Sequence, residues 1–598
     1  MKKRPVARRV DADIGVHRGE ERRISACRSA FDVDLSLPTT TTMPHHCLSI
    51  QEILREICYH LNPYGKGSGY TESCNHPAQA SLAALATTCK AFSDPALDVL
   101  WVTANLSHLL VSGMPDDFWH VNRDAGGPEY VYEPLRAIAP SDGERLGLYS
   151  SRIRHLRAEE RTVNATTLSA LGIDFRRIQR VSWFDPLDDF QRFHSTFLGP
   201  TFTSVNFLIY SEAQLSTLAG QHPQLKNVYA KLYNHSAAFS AFLGGLQSPE
   251  TITVTVVTGE ALAHLASRPN LRTLQLNTGS HPDRSFPDDL PQLATSIRAF
   301  PSLKELAFDA STQGVRQLLG WCTDVPLEDI AITIYSDDFP RVAELKELFG
   351  TLPAAISHGS LSTFDLDTVL HPRNLTEFDG FEDWVDCLIP SDFILALIHF
   401  SNLTTVRIRS AVGADFDDDD ALKLARGCPL LKTVNLGAYD TFSGRPRATL
   451  RCLHHFARHC RSLAALTLTL DATVIPDPES DDDTTPPQTT LSFFNVQSSP
   501  ISDSGSVARF LLSVFPKLRR LRTLKDFERI DMEKREEAYD RERERERREE
   551  IRSNGDEMSD DESDEESEDE DEDERQPDRI YHSLWKGVAS LIPGCIMN

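Results

Sequence analysis

Two stretches near the start of the chain carry apolar residues at the spacing of amphipathic helices. In the first, apolar residues recur every three or four positions, at Ile50, Ile53, Leu54, Ile57 and Leu61. The second keeps a similar stripe at Leu82, Leu85, Ala86, Cys89, Phe92, Leu97, Leu100 and Trp101. Asp94-Pro95 predicts a break within this second stripe, because the residue before a proline disfavours helical backbone. A unit of two or three short helices has little room for a core, so we expect its remaining apolar face to bind a partner.

A different pattern fills the chain after Trp101 and predicts short strands. Copies of the six-residue pattern apolar-x-x-apolar-x-apolar begin at positions 153, 178, 202, 225, 249 and 271, which are 22 to 25 residues apart. More loosely spaced copies begin at 303, 327, 361, 403, 431 and 463, and a half-match begins at 518. The alternation within each copy is typical of a strand with one buried face. A period of roughly 20–29 residues is that of leucine-rich repeats.

Segments with helical spacing lie between the copies, for example at 260–266, 341–349, 392–398 and 420–426. A strand followed by a helix, repeated about a dozen times, predicts the α/β class. We expect an irregular solenoid with parallel strands on its concave inner side and helices outside. An unrelated α/β domain is the alternative. The outward strand positions on the concave face would include Arg272, Thr273, Gln275, Lys304, Glu305, Thr405 and Arg407.

The first two stretches together resemble an F-box of the variant common in fungal proteins. The resemblance rests on Leu48-Ser-Ile-Gln-Glu-Ile-Leu-Arg-Glu-Ile, on Leu82-Ala-Ala-Leu-Ala-Thr-Thr-Cys-Lys-Ala-Phe and on the closing Leu100-Trp101. It covers about 55 of the 598 residues. The chain departs from the family at Leu48-Ser-Ile, where Leu-Pro is usual, and in its long loop at 62–77. An ordinary helical hairpin within a larger core is the alternative.

This resemblance implies that the helices dock on the Skp-type adaptor of a cullin-RING ubiquitin ligase. The repeats after Trp101 resemble the irregular leucine-rich repeats that often follow an F-box, although the usual Asn or Cys position is mostly missing. In such proteins the segment after the F-box recruits the protein to be ubiquitinated. The adaptor-binding residues implied here are Leu48, Ile50, Ile53, Leu54, Ile57, Leu61, Leu85, Cys89, Phe92, Leu97 and Trp101.

The charge of the chain is unevenly distributed. The net charge is −26, and residues 556–574 alone contain 15 Asp and Glu with no Lys or Arg. The rest therefore carries −11, which argues against general nucleic-acid binding by the folded part. The 11 scattered cysteines suggest no disulfide framework, and no apolar run is long enough to span a bilayer. We expect a cytoplasmic or nuclear protein, or one found in both compartments.

These signals divide the chain into six segments. Residues 1–45 are polar, basic and without periodicity, so we expect disorder, and Met43 is an alternative start. The helical F-box-like domain spans 46–105 and the repeat domain 106–525, with a disordered acidic and proline-rich loop at about 474–506. A charged Glu/Arg helix at 526–552, an acidic disordered tract at 553–579 and a short apolar tail at 580–598 complete the chain. The tail would form a short partner-binding helix or dock back on the repeats.

No convincing catalytic motif appears, so we expect neither enzymatic activity nor a cofactor. The densest cluster of metal-ligating residue types is Cys452, His454, His455, His459 and Cys460. His455 and His459 lie one helical turn apart, but no second pair at zinc-site spacing accompanies them. Leu450, Leu453 and Phe456 also mark this segment as a repeat helix, so we expect no metal site.

The leading hypothesis is a substrate-recognition subunit of an SCF-type ubiquitin ligase. It would bind the adaptor and cullin complex through the F-box and an unidentified protein substrate through the repeats, without contacting nucleic acid or membrane. The alternative is a leucine-rich-repeat scaffold outside any ligase, whose acidic tail binds basic proteins such as histones.

Overall fold

The computed structural model describes the helical N-terminal region, most of the repeats and the C-terminal helix. The chain divides into two compact units, Met1–His264 and Leu265–Asn598. The division falls within the helix Gly259–Ala266. The described residues are 50–61, 77–106, 109–110, 114, 118–122, 131–136, 139, 142–158, 175–183, 198–209, 215–232, 237–255, 257–276, 290–291, 298–336, 342–370, 388–410, 413–438, 446–476, 487–524 and 576–597.

The first unit begins with three helices, Gln51–His60, Pro77–Thr88 and Lys90–Leu100, which we call the helical unit. The break in the second stripe falls at Cys89, whose backbone is extended, and the predicted break at Asp94-Pro95 is wrong. Pro95 lies inside the third helix, where it removes the bond to the carbonyl four residues earlier. Pro95 and Ala96 are buried, and packing of this turn offsets the local preference.

Parallel strands follow the helical unit. The strands of the first unit are β1 Thr103–Asn105, β2 Trp119–Asn122, β3 Val131–Pro134, β4 His155–Ala158, β5 Arg180–Trp183, β6 Ser204–Ile209, β7 Asn227–Leu232 and β8 Thr251–Val254. Six of them pair in parallel in the order β1-β4-β5-β6-β7-β8, whereas β2 and β3 form an antiparallel hairpin that the repeat pattern does not predict. The helices after β1 are Asp142–Ser150, Leu215–Gln221, Ala237–Gly245 and Gly259–Ala266.

The second unit continues the same architecture. Its strands are β9 Thr273–Leu276, β10 Glu305–Ala310, β11 Asp329–Ser336, β12 Thr363–Leu370, β13 Ile389–Pro390, β14 Thr405–Ser410, β15 Ala414–Asp415, β16 Thr433–Ala438, β17 Ala465–Leu468, β18 Phe493–Asn495, β19 Arg520–Arg522 and β20 Ile596–Met597. All pair in parallel in chain order, except that β13 and β15 form a separate pair. The helices are Thr312–Trp321, Val342–Gly350, Leu352–Ala355, Ser391–Ala396, Asp418–Gly427, Arg451–His459, Ser504–Val514 and Gln576–Leu591, with a 3-10 turn at Leu397–His399.

The repeat pattern is reproduced in the burial of the repeat strands, as one copy illustrates. In the copy beginning at 431, Leu431, Val434 and Leu436 are buried, whereas Lys432 and Thr433 between them are not. Equivalent positions lie side by side, because Thr433 pairs with Ala465 and Ala465 with Phe493. In this part of the second unit, apolar side chains of successive copies therefore stack on one another, as expected for a repeat solenoid. The predicted fold class, α/β repeats with parallel strands and helices, is confirmed.

The loop predicted at about 474–506 is wrong in its second half. Residues 487–506 are ordered into the repeat array, with β18 at its centre. Leu491-x-x-Phe494-x-Val496 is an unrecognised copy of the repeat pattern, and all three apolar side chains are buried. Asp503 caps the helix that follows, accepting hydrogen bonds from the N–H groups of Gly505 and Ser506. Its proline-rich and acidic first part, 477–486, lies outside the described residues.

The predicted apolar tail is part of the repeat array. A helix spans Gln576–Leu591, which we call the C-terminal helix, and β20 then pairs with β19. The C-terminal helix packs against Ser504–Val514. Residues 1–49 and 525–575, which include the predicted charged helix and most of the acidic tract, lie outside the described residues. Within the described residues, no helix is long and apolar enough to cross a membrane.

Candidate protein-interaction surfaces

The first helix presents a row of apolar side chains to solvent. Ile50, Ile53, Ile57 and Leu61 are each 36–40% exposed. Their spacing of three and four residues places them along one side of the helix Gln51–His60. We call these four residues the isoleucine stripe. Such a row on a helix that already has a packed face is the usual mark of a protein-binding surface.

Leu54 does not belong to this exposed row. Leu54 is 1% exposed and Cys58, one turn later, is fully buried, so these two face inward. Cys58 packs in one cluster with Leu82, Ala86 and Ala96 from the other two helices. Each residue turns about 100° around a helix, so the neighbours Ile53 and Leu54 point in different directions. The prediction that Leu54 lies on the adaptor-binding face is therefore wrong.

Most of the other predicted adaptor-binding side chains are half-buried and pack against other residues of this chain. Leu85, Phe92 and Leu97 are half-buried and pack against the core of the helical unit. Cys89 is half-buried at the start of the third helix. Trp101 is half-buried, and its ring centroid lies 4.7 Å from that of Tyr149. Leu48 lies outside the described residues. The structure thus gathers Ile50, Ile53, Ile57 and Leu61 and separates them from the rest of the predicted set.

An arginine that the sequence patterns do not single out fixes the third helix in place. Arg152 Nη2 donates to Asp94 Oδ1 at 2.7 Å, and Arg152 Nη1 contacts Asp98 Oδ1 directly. Arg152 Nη1 also donates to the carbonyl oxygen of Asp94 at 3.3 Å. Because Arg152 stands just before β4, these bonds tie the helical unit to the repeat strands.

The strands of the second unit carry their polar side chains on the outward-facing side, as predicted. Arg272, Lys304, Glu305 and Arg407 are exposed, and Thr273, Gln275 and Thr405 are half-buried. From β10 to β14, the charges on this side neutralise one another across neighbouring repeats. Lys304 Nζ lies 2.5 Å from Glu328 Oε1, Arg409 Nη2 lies 2.7 Å from Asp367 Oδ2, and Arg407 Nη1 lies 3.4 Å from Asp365 Oδ2.

The outward side changes character from β16 onwards. The exposed Lys432 precedes β16, but the outward side chains on β16 and β17 themselves are small or neutral, among them Thr433, Ala465 and Thr467. At Gly437 an added Cβ would lie only 2.9 Å from Asn435 Oδ1, so a larger residue would force that amide to move. On β19 the chain again presents cations, and the guanidinium carbons of Arg520 and Arg522 lie 5.3 and 5.6 Å from the ring centroid of Phe493.

The side chains of the Cys/His cluster at 452–460 lie in different environments. Cys452 and Cys460 are buried in the core, while the ring of His454 packs edge-on against Phe510 at 5.1 Å. Burial raises the pKa of the Cys460 thiol to about 12, with Cys428 adding to the rise, and burial also raises the pKa of the Cys452 thiol. Metals bind the thiolate form, which these sites disfavour. Within the described residues, no group of three or more His, Cys, Asp or Glu is placed to hold a metal ion.

Comparisons with known proteins yield only distant structural similarity. No protein-family model matches the chain, and no curated protein matches it. A chain of the yeast Rad7–Elc1 complex aligns over 86% of this chain and 94% of its own length, at 10% identity and a TM-score of 0.31. A leucine-rich-repeat protein of Leptospira interrogans aligns over 58% of this chain and 84% of its own, at 14% identity and a TM-score of 0.31. Alignments this loose assign no function.

Proposed function

We propose that the chain is the substrate-recognition subunit of an SCF-type ubiquitin ligase. The isoleucine stripe would dock on a Skp-type adaptor bound to a cullin, and the outward side of the repeat strands would bind the protein substrate. The observation that carries the proposal is the partial exposure of Ile50, Ile53, Ile57 and Leu61 on a helix whose Leu54 and Cys58 are already buried. Without a partner, this row would keep four large apolar side chains in water.

The stripe alone gives too little free energy for a stable complex. Removing the exposed part of four such side chains from water contributes on the order of 3 to 5 kcal/mol. Association costs at least about 4 kcal/mol in lost translational and rotational freedom. The adaptor must therefore contact further residues, and the half-buried Phe92 and Leu97 of the third helix are the candidates within the described residues.

The chain itself would act without enzymatic chemistry or a cofactor. A substrate held on the repeat strands reacts with a ligase module bound through the adaptor, so the contribution of this chain is proximity and orientation. We place this role in the cytoplasm, the nucleus or both, in keeping with the free thiols of Cys58, Cys322 and Cys428.

A pull-down with purified Skp-type adaptor tests the proposal. The intact chain should retain the adaptor, and Ile53→Asp with Ile57→Asp should weaken binding at least about tenfold, because two carboxylates would be desolvated in the interface. Leu54→Asp is unsuitable, since a buried carboxylate would unfold the helical unit itself.

The matched control is Ile580→Asp with Leu591→Asp on the C-terminal helix. These two residues are 57% and 54% exposed, so the change in charge and surface is the same at a different place. The control should bind like the intact chain, and circular dichroism should show that both double variants stay folded. If the intact chain fails to bind the adaptor, the ligase proposal is wrong.

A scaffold that binds basic proteins is the second candidate, and the 15 acidic residues of 556–574 favour it. It predicts that the intact chain binds histones at physiological salt and that deletion of 556–574 abolishes this binding. Histone binding without adaptor binding would favour this alternative.

A further inference from the structure

An open cavity of about 530 Å³ lies where the last repeats of the second unit meet. It lies beside the starts of β18 and β19 and next to the turn that leads into β20. Its lining includes Thr489, Ser492, Lys517, Arg519, Arg520 and Gly594. We call it the basic pocket, because all the charged side chains that line it are cationic.

The cations of the basic pocket have no acidic partner among the described residues. Lys517, Arg519 and Arg520 are all exposed, and none forms an ion pair with a described carboxylate. This contrasts with β10 to β14, where the outward cations Lys304, Arg407 and Arg409 meet acidic side chains on adjacent strands. Among the described residues, the positive charge of the pocket is therefore left without a neutralising partner.

The sheet holds these cations in fixed positions. The backbone N–H groups of Arg519 and Arg520 both donate to the carbonyl oxygen of Ser492, at 3.1 and 3.0 Å. The N–H of Ile596 donates to the carbonyl oxygen of Arg519 at 2.8 Å. Gly594, with φ of +71°, makes the turn that brings β20 alongside. The side chain of Arg520 is further braced on the ring of Phe493, so a ligand meets partly preorganised cations.

The described residues of the last repeats are basic, although the whole chain is acidic. Residues 446–476, 487–524 and 576–597 together contain 11 Lys and Arg but only three Asp and Glu. The complete chain carries −26. A cationic site within such a chain attracts a negatively charged partner locally, although the net negative charge of the whole chain repels that partner.

We propose that the basic pocket binds an acidic peptide segment of a protein partner, one that carries two or more Asp or Glu side chains. This assignment names a substrate class for the repeat domain and so rests on the proposed recognition role. Carboxylates match the guanidinium groups of Arg519 and Arg520, which offer paired N–H donors. A nucleic acid fits less well, because Phe493 is half-buried beneath Arg520 and Arg522 and offers no open ring for base stacking.

The acidic tract of the chain itself is the competing occupant of the basic pocket. The basic pocket lies beside Gly594 and Ile596, just after the end of the C-terminal helix. That helix has 16 residues and spans about 24 Å, and residues 556–574 precede its opposite end. An extended segment of that length spans more than this distance, so the test below includes a variant that lacks residues 556–574.

Fluorescence anisotropy with the full chain tests this proposal. The probe is a fluorescein-labelled peptide of Glu, Ser and Gly, and the matched probe has Gln in place of Glu. We expect the Glu peptide to bind, the Gln peptide to bind at least about tenfold more weakly, and added salt to weaken the binding of the Glu peptide. Arg519→Glu with Arg520→Glu should lower the affinity for the Glu peptide by about tenfold or more.

The control variant is Arg451→Glu with Arg509→Glu, which makes the same charge change at exposed helical positions of the second unit. It should bind the Glu peptide like the unaltered chain. Equal loss in both variants would show a diffuse charge effect and overturn the proposal. The proposal would also be overturned if the Glu peptide bound only after deletion of residues 556–574. Binding of a single-stranded oligonucleotide in place of the peptide would overturn it as well. Adaptor binding is measured separately by pull-down. A chain that binds the adaptor but not the Glu peptide would contradict only the peptide proposal, and a chain that binds the peptide but not the adaptor would contradict only the ligase proposal.

Discussion

The helices Gln51–His60 and Gln576–Leu591 are both amphipathic, but they place their apolar side chains differently. In the C-terminal helix, Trp585, Val588 and Ala589 are all buried, and Trp585 Nε1 donates to the carbonyl oxygen of Ser499 at 2.9 Å. In the first helix, Leu54 and Cys58 are buried while the isoleucine stripe stays in solvent. The C-terminal helix uses its apolar side for packing within the chain. The first helix also packs within the chain, but it keeps a second apolar side that is partly exposed to solvent.

The difference lies in the surroundings of each helix and not in its own periodicity. The C-terminal helix approaches Ser504–Val514 closely at Gly587, where an added Cβ would lie 3.0 Å from Ser504 Oγ. Ser504 Oγ also donates to the carbonyl oxygen of Leu584 at 2.7 Å. The exposed apolar residues of this helix, Ile580 and Leu591, lie eleven positions apart and form no continuous row, which is why we assign docking to the isoleucine stripe.

The largest effect is expected at Trp585. Trp585→Ala should lower the free energy of unfolding of the second unit by about 3 to 5 kcal/mol, because it leaves a large cavity and an unpaired Ser499 carbonyl. Hydrogen exchange of the amides in Ser504–Val514 measures the change. Ile580→Ala on the exposed side of the same helix should change it by less than about 0.5 kcal/mol. Equal effects of the two substitutions would mean that the C-terminal helix is not docked.

Leu54 should come next. Leu54→Ala should destabilise the helical unit by about 2 to 3 kcal/mol, toward the lower end for a buried leucine, since a small unit relaxes more easily around the cavity. The measurement is hydrogen exchange of the amides in Gln51–His60. An unchanged exchange rate would place Leu54 on the outer side after all and remove the contrast between the two helices.

Arg152 tests how firmly the helical unit is joined to the strands after it. Arg152→Met keeps most of the aliphatic stem but loses the bonds to Asp94 and Asp98, so we expect a loss of about 1 to 2 kcal/mol in the protection of Lys90–Leu100. The control is Arg55→Met, since Arg55 is exposed and its Nη2 lies 3.9 Å from Asp98 Oδ2. That change should cost less than about 0.5 kcal/mol. A similar loss in both variants would argue against a specific role for Arg152.

The smallest effect is expected within the isoleucine stripe. Ile57→Ala should lower the stability of the helical unit by about 1 kcal/mol or less, which is below the effect of Leu54→Ala, because Ile57 is already 39% exposed. The same substitution should nevertheless weaken adaptor binding, as measured by titration calorimetry. A large loss of stability with no loss of binding would show that the stripe is structural.

The repeats were predictable because their signal is local. Each copy, such as Leu271-Arg-Thr-Leu-Gln-Leu, encodes alternate burial within six residues, and register follows from stacking similar copies. The copy at Leu491 was missed because the acidic, proline-rich stretch before it masks the strand. The position of Pro95 inside a helix depended on tertiary packing that overrides a local preference. For the candidate sites, the helical spacing of apolar residues predicts that Ile53 and Ile57 share one face of a helix. Only the fold shows that Leu54 is buried while these two are exposed. Nothing in the spacing points to Lys517 or Arg519.

The C-terminal helix also has a consequence for the order in which the protein is made. The residues that cover Ser499 and the edge of β19 are separated from Leu524 by 51 residues, 525–575. At typical rates of synthesis, the ribosome needs about 3 to 10 s to add them. For that time, the end of the array is a bare strand edge beside an unfilled tryptophan site, a surface that favours aggregation. The last repeats therefore stay incomplete for several seconds of synthesis, during which a chaperone would protect them.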